Sequence, residues 1–384
     1  MYPFLQRIRA CLLIIAAAHA CGTAQARPAV IITVDVESIE PLPLPAQRDI
    51  LCEQQAPCGL NYMTAMLEQR GMAGTFFLNV YEQKAWGATV LRDIAQRLQT
   101  AGHDVALHTH PQWAYDPQRP YMYSYSLEDQ SRIIADGVRA LQEWTGLPVV
   151  AHRAGAYSAN KDTITALERS GIVLDSSLFL HHPHSLLNGL GLPANTPAMI
   201  GKVVEMPVTV YERHERPAGW GQHLPQYIAL GKVDVDAIAN EREAAAAVAA
   251  VVAADLPYLV VFLHSFSFIA APPTADLPAR ADSTSMKVFA SLLDAIVAQR
   301  LQVVTTRQLV ARQDAIDFGK RDVVPAVNNA IPAHKYVVRM LRSLSTGGKA
   351  AVGLIALAGL TLAIYLPIAL RRRGTRATAV KTVS

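Results

Sequence analysis

Four residues of this chain pair up in a way that chemistry can use. His108 and His110 close the run Asp104-Val105-Ala106-Leu107-His108-Thr109-His110, and Asp35 and Glu37 close the run Val30-Ile31-Ile32-Thr33-Val34-Asp35-Val36-Glu37. Each run is apolar until its polar end, as a buried strand is. Side chains two apart on a strand point to the same face, so each pair can converge on one point. Two imidazoles and two carboxylates brought together make a site for a divalent cation.

Such pairs need a scaffold that carries strand ends to a common place. Apolar runs at 30–36, 74–80, 104–107, 149–151, 172–176, 203–208, 258–263 and 301–305 read as strands. Between them, helical spacing predicts helices over 62–69, 91–100, 126–144, 161–170, 237–253 and 286–299. Strands without polar alternation, separated by helices, predict a parallel sheet covered on both faces. Eight candidate strands over this length predict an α/β barrel, with function at the C-terminal strand ends. Asp35, Glu37, His108, His110, Arg153, Asp175 and His264 all stand at such ends.

The composition, 51% hydrophobic and 17% charged over 384 residues, is skewed by the two ends. Residues 1–26 have Arg7 and Arg9, an apolar stretch and Ala24-Gln25-Ala26, the pattern of a secretory signal peptide cleaved after Ala26. Residues 350–370 carry no charge, long enough for a transmembrane helix, and Arg371, Arg372 and Arg373 follow. The expected organisation is a signal peptide at 1–26, an exported domain at 27–318, a stalk at 319–349, a span at 350–370 and a cytoplasmic tail at 371–384. Within the stalk, a basic amphipathic helix from Lys335 to Leu344 could lie on the membrane surface, or the segment could be a plain solvated linker. The exported part would then be anchored in the inner or plasma membrane, facing the periplasm or exterior. The overall charge of +4 contains +2 from the signal segment and +5 from the tail, leaving −3 between them, which argues against a nucleic-acid partner. Cleavage leaves Cys52 and Cys58, expected as a local disulfide in an oxidising compartment.

With the strand ends located, a resemblance emerges. Thr33-Val34-Asp35-Val36-Glu37, Gly102-His103-Asp104 with His108-Thr109, Arg153-Ala154-Gly155-Ala156-Tyr157, Asp175-Ser176-Ser177 and Leu263-His264 follow one another as do the five blocks of the polysaccharide deacetylases. The chain thus resembles carbohydrate esterase family 4, the NodB-homology family. That resemblance implies a distorted (β/α) barrel of about 7–8 parallel strands and metal-dependent removal of N-acetyl groups from a polysaccharide. It also implies roles: Asp35 as general base, Arg153 orienting it, His264 as general acid, and Asp175 orienting His264. Two positions depart from the family pattern. Val36 stands where a metal-binding Asp is expected, and Gln112 where the second His is expected. The same-face argument offers Glu37 and His110 as substitutes, so that Glu37, His108 and His110 would hold the cation, Zn2+ by the chemistry of the set. Trp113, Tyr157 and Trp220 could stack on sugar rings or pack in the core. His103 and His152 are expected in packing roles, and the cluster His181, His182 and His184 is not expected to bind a second metal. The departures also allow an inactive glycan-binding subunit of an export system, or a hydrolase of another non-peptide C–N bond on the same fold.

Overall fold

A computed structural model describes residues 27–38, 57–219, 224–270, 280–319 and 323–343. Ten strands in chain order carry most of the architecture: β1 (Ala29–Val36), β2 (Thr75–Asn79), β3 (Asp104–Thr109), β4 (Ala151–Ala154), β5 (Leu174–Asp175), β6 (Ala198–Ile200), β7 (Val203–Glu205), β8 (Val210–Pro217), β9 (Tyr227–Lys232) and β10 (Tyr258–His264). β11 (Ile269–Ala270) and β12 (Arg280–Ala281) form a short antiparallel pair, and β13 is Ala326–Ile331. The main sheet has the order β10-β1-β2-β3-β4-β5-β7-β6, parallel throughout except for its antiparallel edge strand β6.

This sheet curls without a continuous ladder between its ends. Thr209 and Val233 instead make single links to β10, where Val260 N–H donates to Thr209 Oγ1 (2.8 Å) and Phe262 N–H donates to the Val233 carbonyl (2.9 Å). The result is a distorted (β/α) barrel, as expected, with one correction. The eighth strand expected at 301–305 is reduced to a single bridge, Val303 to Val30, and the eighth place in the sheet goes to β6.

Strand alternation sorts the core into two layers. Ile31, Phe77, Ala106, Ala151, Leu174, Val204, Val260 and Phe262 pack together inside the curl. Val30, Ile32, Val34, Phe76, Leu78, Val105 and Leu107 point outward into a larger cluster with the helices. Those helices begin where the sequence offers caps. Ser126 accepts from Asp129 N–H ahead of Leu127–Thr145, and Asn160 closes a capping box ahead of Lys161–Arg169. Asn240 and Asp282 cap Glu241–Ala253 and Ser283–Ala298. The N-terminal mouth is closed by Asp104, which accepts from Thr306 Oγ1 (2.6 Å) and from Arg307 N–H and Nε (both 2.9 Å).

Among the described residues, 213–219, 224–229 and 328–343 form a second compact unit. The segment expected as a stalk is therefore structured where it is described. β13 joins a three-stranded sheet of order β13-β8-β9, and a helix follows at Ala333–Ser343. Val327, Asn329 and Ile331 of β13 are buried at every second position. Glu215 is buried in this unit, paired with Arg213 (3.7 Å) and with Arg339. Among the described residues no helix is long and apolar enough to cross a membrane. The expected signal peptide at 1–26 and span at 350–370 lie outside the described residues. Cys58 is disulfide-bonded, and Cys52 lies outside the described residues.

Candidate active site

Register explains why the polar strand ends meet. Asp35 stands beside His264 across the β1–β10 pair, and His108 beside Arg153 across β3–β4. All four share the inward parity of Ile31, Ala106, Ala151 and Phe262, so they cap the inner core at its C-terminal mouth. Glu37 and His110, two residues beyond Asp35 and His108, continue on the same face.

Arg153 is fully buried. Its Nη1 donates to Asp35 Oδ1 (2.8 Å) and Thr33 Oγ1 (3.0 Å), and its Nε and Nη2 donate to the carbonyl and hydroxyl of Ser176 (both 2.9 Å). The guanidinium lies 4.4 Å from the Phe77 ring centroid and 5.1 Å from that of Phe262. One oxygen of Asp35 is thus held, while the other faces His108 Nε2 at 3.7 Å.

Glu37 Oε2 lies 3.1 Å from His108 Nε2 and 2.5 Å from His110 Nε2. The ligand atoms of Glu37, His108 and His110 all fall within 4.8 Å of one another, the one such grouping among the described residues. His108 Nδ1 meets the Arg153 carbonyl at 2.9 Å. A carbonyl only accepts, so Nδ1 carries the proton and Nε2 is left to face the carboxylates. Burial opposes charge on both partners here. The two imidazoles nevertheless hold Glu37 well below the usual carboxylate range, and Asp35 and Glu37 raise the pKa of His108. A positive charge belongs between these groups, supplied by a proton or by a metal.

His264 Nε2 is 3.7 Å from Glu37 Oε1 on the opposite side. Its Nδ1 faces Asp236 Oδ2 at 3.5 Å, and Asp236 is steadied by Ser267 Oγ at 2.8 Å. This corrects the role expected for Asp175. Asp175 accepts instead from His152 Nδ1 (2.7 Å) and Ser177 Oγ (2.9 Å), fully buried. The reason is parity: Leu174 packs in the inner layer, so the next residue points to the helix-covered face, beside His152 and Glu205. Asp236 is the acid that sequence reasoning passed over. Asp234 and Asp236 stand two apart after β9, the same signal that marked the other pairs.

Tyr157 walls the site rather than offering a free face. It is buried among Phe179, His182 and Phe262, and its hydroxyl meets Lys232 Nζ at 2.9 Å. Burial, opposed by Lys232 and Arg153, pushes its pKa up to about 12. Ala156 and Tyr157 both have left-handed backbone, at φ 49° and 57°. For non-glycine residues this costs about 1–3 kcal/mol each, which marks a turn held by its surroundings. Lys232 also pairs with Asp234 (3.2 Å) and lies 3.4 Å from the Phe262 ring centroid. Trp113 is half-buried against the outer core and near Trp86 (5.9 Å between centroids), and Trp220 lies outside the described residues. His103 accepts from Gly74 N–H (3.2 Å) and His152 contacts Thr109 (3.0 Å), packing roles as expected. His184 stacks on Tyr121 (4.1 Å), and its Nδ1 meets the Tyr123 hydroxyl at 3.0 Å.

The sequence pattern of the family described as polysaccharide deacetylase matches residues 26–174, from β1 into β5. No curated protein sequence matches the chain at a significant level. Among solved structures, a protein described as a candidate polysaccharide deacetylase from Mycobacterium smegmatis is similar at 17% identity and a TM-score of 0.52, covering 79% of this chain and 96% of its own. A family 4 carbohydrate esterase from Streptomyces lividans, bound to acetate, is similar at 12% identity and a TM-score of 0.39, covering 78% and 98%. A carbohydrate esterase family 4 pseudoenzyme from Bacillus anthracis is similar at 12% identity and a TM-score of 0.41, covering 79% and 70%. Residues 26–174 thus carry the polysaccharide deacetylase sequence pattern, and the barrel around them is similar in fold to that of the Mycobacterium smegmatis protein.

Proposed function

We propose that this chain is a metal-dependent hydrolase that removes N-acetyl groups from an extracellular or cell-wall glycan. The observation that carries the reading is the convergence of Glu37, His108 and His110 beside the Asp35–Arg153 pair, with His264 across from them. The donor set fits a zinc-type ion. Ligands about 2.0–2.1 Å from a tetrahedral zinc sit roughly 3.3 Å apart, close to the 3.1 Å between Glu37 and His108.

When bound by Glu37, His108 and His110, the ion supplies a Lewis acid for the acetyl carbonyl and a lowered pKa for the attacking water. Asp35 takes the water proton, its carboxylate aimed by the Arg153 guanidinium. His264 gives a proton to the departing amine from Nε2, with Asp236 facing Nδ1 and balancing the imidazolium. A base and an acid on opposite sides of one carbonyl are what amide hydrolysis requires.

Two assays on one preparation test this reading: bound-metal content, and acetate release from N-acetylated oligosaccharides. Asp35→Asn should lower acetate release by about two to four orders of magnitude while the glycan is still retained. A wild type that holds glycan and metal yet releases no acetate would replace this reading with that of an inactive glycan-binding subunit, which Val36 and Gln112 favour. We further propose that residues 350–370 tether the domain on the outer side of a membrane. External protease should then digest the domain and spare a tag placed after Arg373.

A further inference from the structure

His110 is the ligand that the family pattern does not supply, and its surroundings are built for it. The backbone at His110 (φ −116°, ψ 83°) turns only slightly off the strand, and its ring stands 4.9 Å from that of His108. The turn Pro111–Trp113 then brings Gln112 back, with the side-chain amide 3.1 Å from His110 Nδ1. On the other side, the ring occupies space that only a glycine leaves open. A Cβ on Gly155 would lie 2.4–2.5 Å from His110 Nε2, Cδ2 and Cε1. The end of β4 therefore seats both imidazoles, with the Arg153 carbonyl on His108 and the bare Cα of Gly155 under His110.

The Gln112 amide faces Nδ1 with its NH2 group, which places the ring proton on Nε2, toward Glu37. Gln112 Oε1 is meanwhile buried without a hydrogen-bond partner among the described residues. Turning the amide by half a revolution would give that oxygen an Nδ1–H to accept and free the Nε2 lone pair. An amide can partner either tautomer, because it carries a donor and an acceptor on one pivot. Outer partners of this kind orient metal-binding histidines and fix the nitrogen that binds.

We infer that Gln112 is a positioning residue for the relocated ligand His110, its amide oxygen holding Nδ1–H when a divalent cation occupies Nε2, and that Gly155 provides the seat. The family's second histidine position has then become the support of the new ligand. This inference rests on the metal reading of the site, and direct metal titration separates the two.

The experiment titrates the full chain with Co2+, read by visible absorption, and with Zn2+ in competition against a chromogenic chelator. Gln112→Leu should bind roughly 10–100-fold more weakly than wild type, with an altered Co2+ spectrum. Gln112→Glu, which keeps an acceptor on Nδ1–H, should bind at least as tightly as wild type. Gly155→Ala should weaken binding while urea midpoints confirm that each variant is folded. Equal affinity in Gln112→Leu and wild type overturns the inference, as does equal loss in Gln112→Leu and Gln112→Glu, which would mean packing alone. If Gly155→Ala binds as wild type does, the seat is refuted. If wild type binds neither ion, the metal reading itself falls and the role of Gln112 falls with it.

Discussion

Removing the Arg153 guanidinium tests the geometry on which the base depends. Arg153 is fully buried and donates four hydrogen bonds, one of them to Asp35 at 2.8 Å. Arg153→Met keeps the volume and the contact with Phe77 but leaves the Asp35 carboxylate uncompensated, in a site where Asp35 itself is only 4% exposed. Breaking a buried ion pair from one side costs about 3–5 kcal/mol, and most of that cost is the stranded charge. Asp35→Asn keeps an acceptor for Nη1 and should cost less, about 1–3 kcal/mol. In the double variant neither charge is stranded. Its destabilisation should therefore fall short of the sum of the two single effects by about 1–3 kcal/mol. Urea unfolding of the four proteins, followed by tryptophan fluorescence and near-ultraviolet dichroism, gives the cycle. A domain stability of roughly 5–15 kcal/mol leaves all four measurable. Additivity within about 0.5 kcal/mol would show that Arg153 does not hold Asp35 through charge, and the orientation argument would fail.

Two further outcomes are expected. Asp236→Asn should lower kcat by about tenfold, at the low end of what outer partners contribute, with KM unchanged, whereas Asp175→Asn should act on stability; equal kcat in Asp236→Asn and wild type would return His264 to an unassisted acid. The buried pair of Asp175 and Glu205 gives a pH test. Burial and the neighbouring Asp175 raise the pKa of Glu205 well above its ordinary value. For Asp175 burial is outweighed by His152, Glu205 and Ser177, which lower it. The Glu205 contribution is therefore full below the ordinary glutamate pKa and is lost as pH rises toward the folded value, while that of Asp175 is lost as pH falls through the acid range. Glu205→Gln keeps a donor for Asp175 and removes the first effect, so between about pH 5 and about pH 8 its urea midpoint should fall less than that of wild type. Parallel profiles would refute the assignment of the proton to Glu205.

The sequence by itself determined the strand ends that matter, because a strand has a period of two and a buried strand is apolar until its functional end. Asp35 with Glu37, and His108 with His110, were legible for that reason, and so were the seven parallel strands of the sheet. Parity could also have placed Asp175 on the helix-facing side, had the inner layer been known. The inner layer is a property of the closed sheet, and neither face of an all-apolar strand announces itself. β8 was hidden by its own charges. In Val210-Tyr211-Glu212-Arg213-His214-Glu215-Arg216-Pro217 the buried Glu215 is paired with Arg213 nearby and with Arg339, more than a hundred residues away. Tertiary structure alone decided that Asp236, rather than Asp175, faces His264, that 301–305 yields its place in the sheet to β6, and that Gln112 and Gly155 enclose His110. Each is a contact between segments distant in sequence or a turn off a strand end, where side-chain direction is set by what packs against it and by no local period.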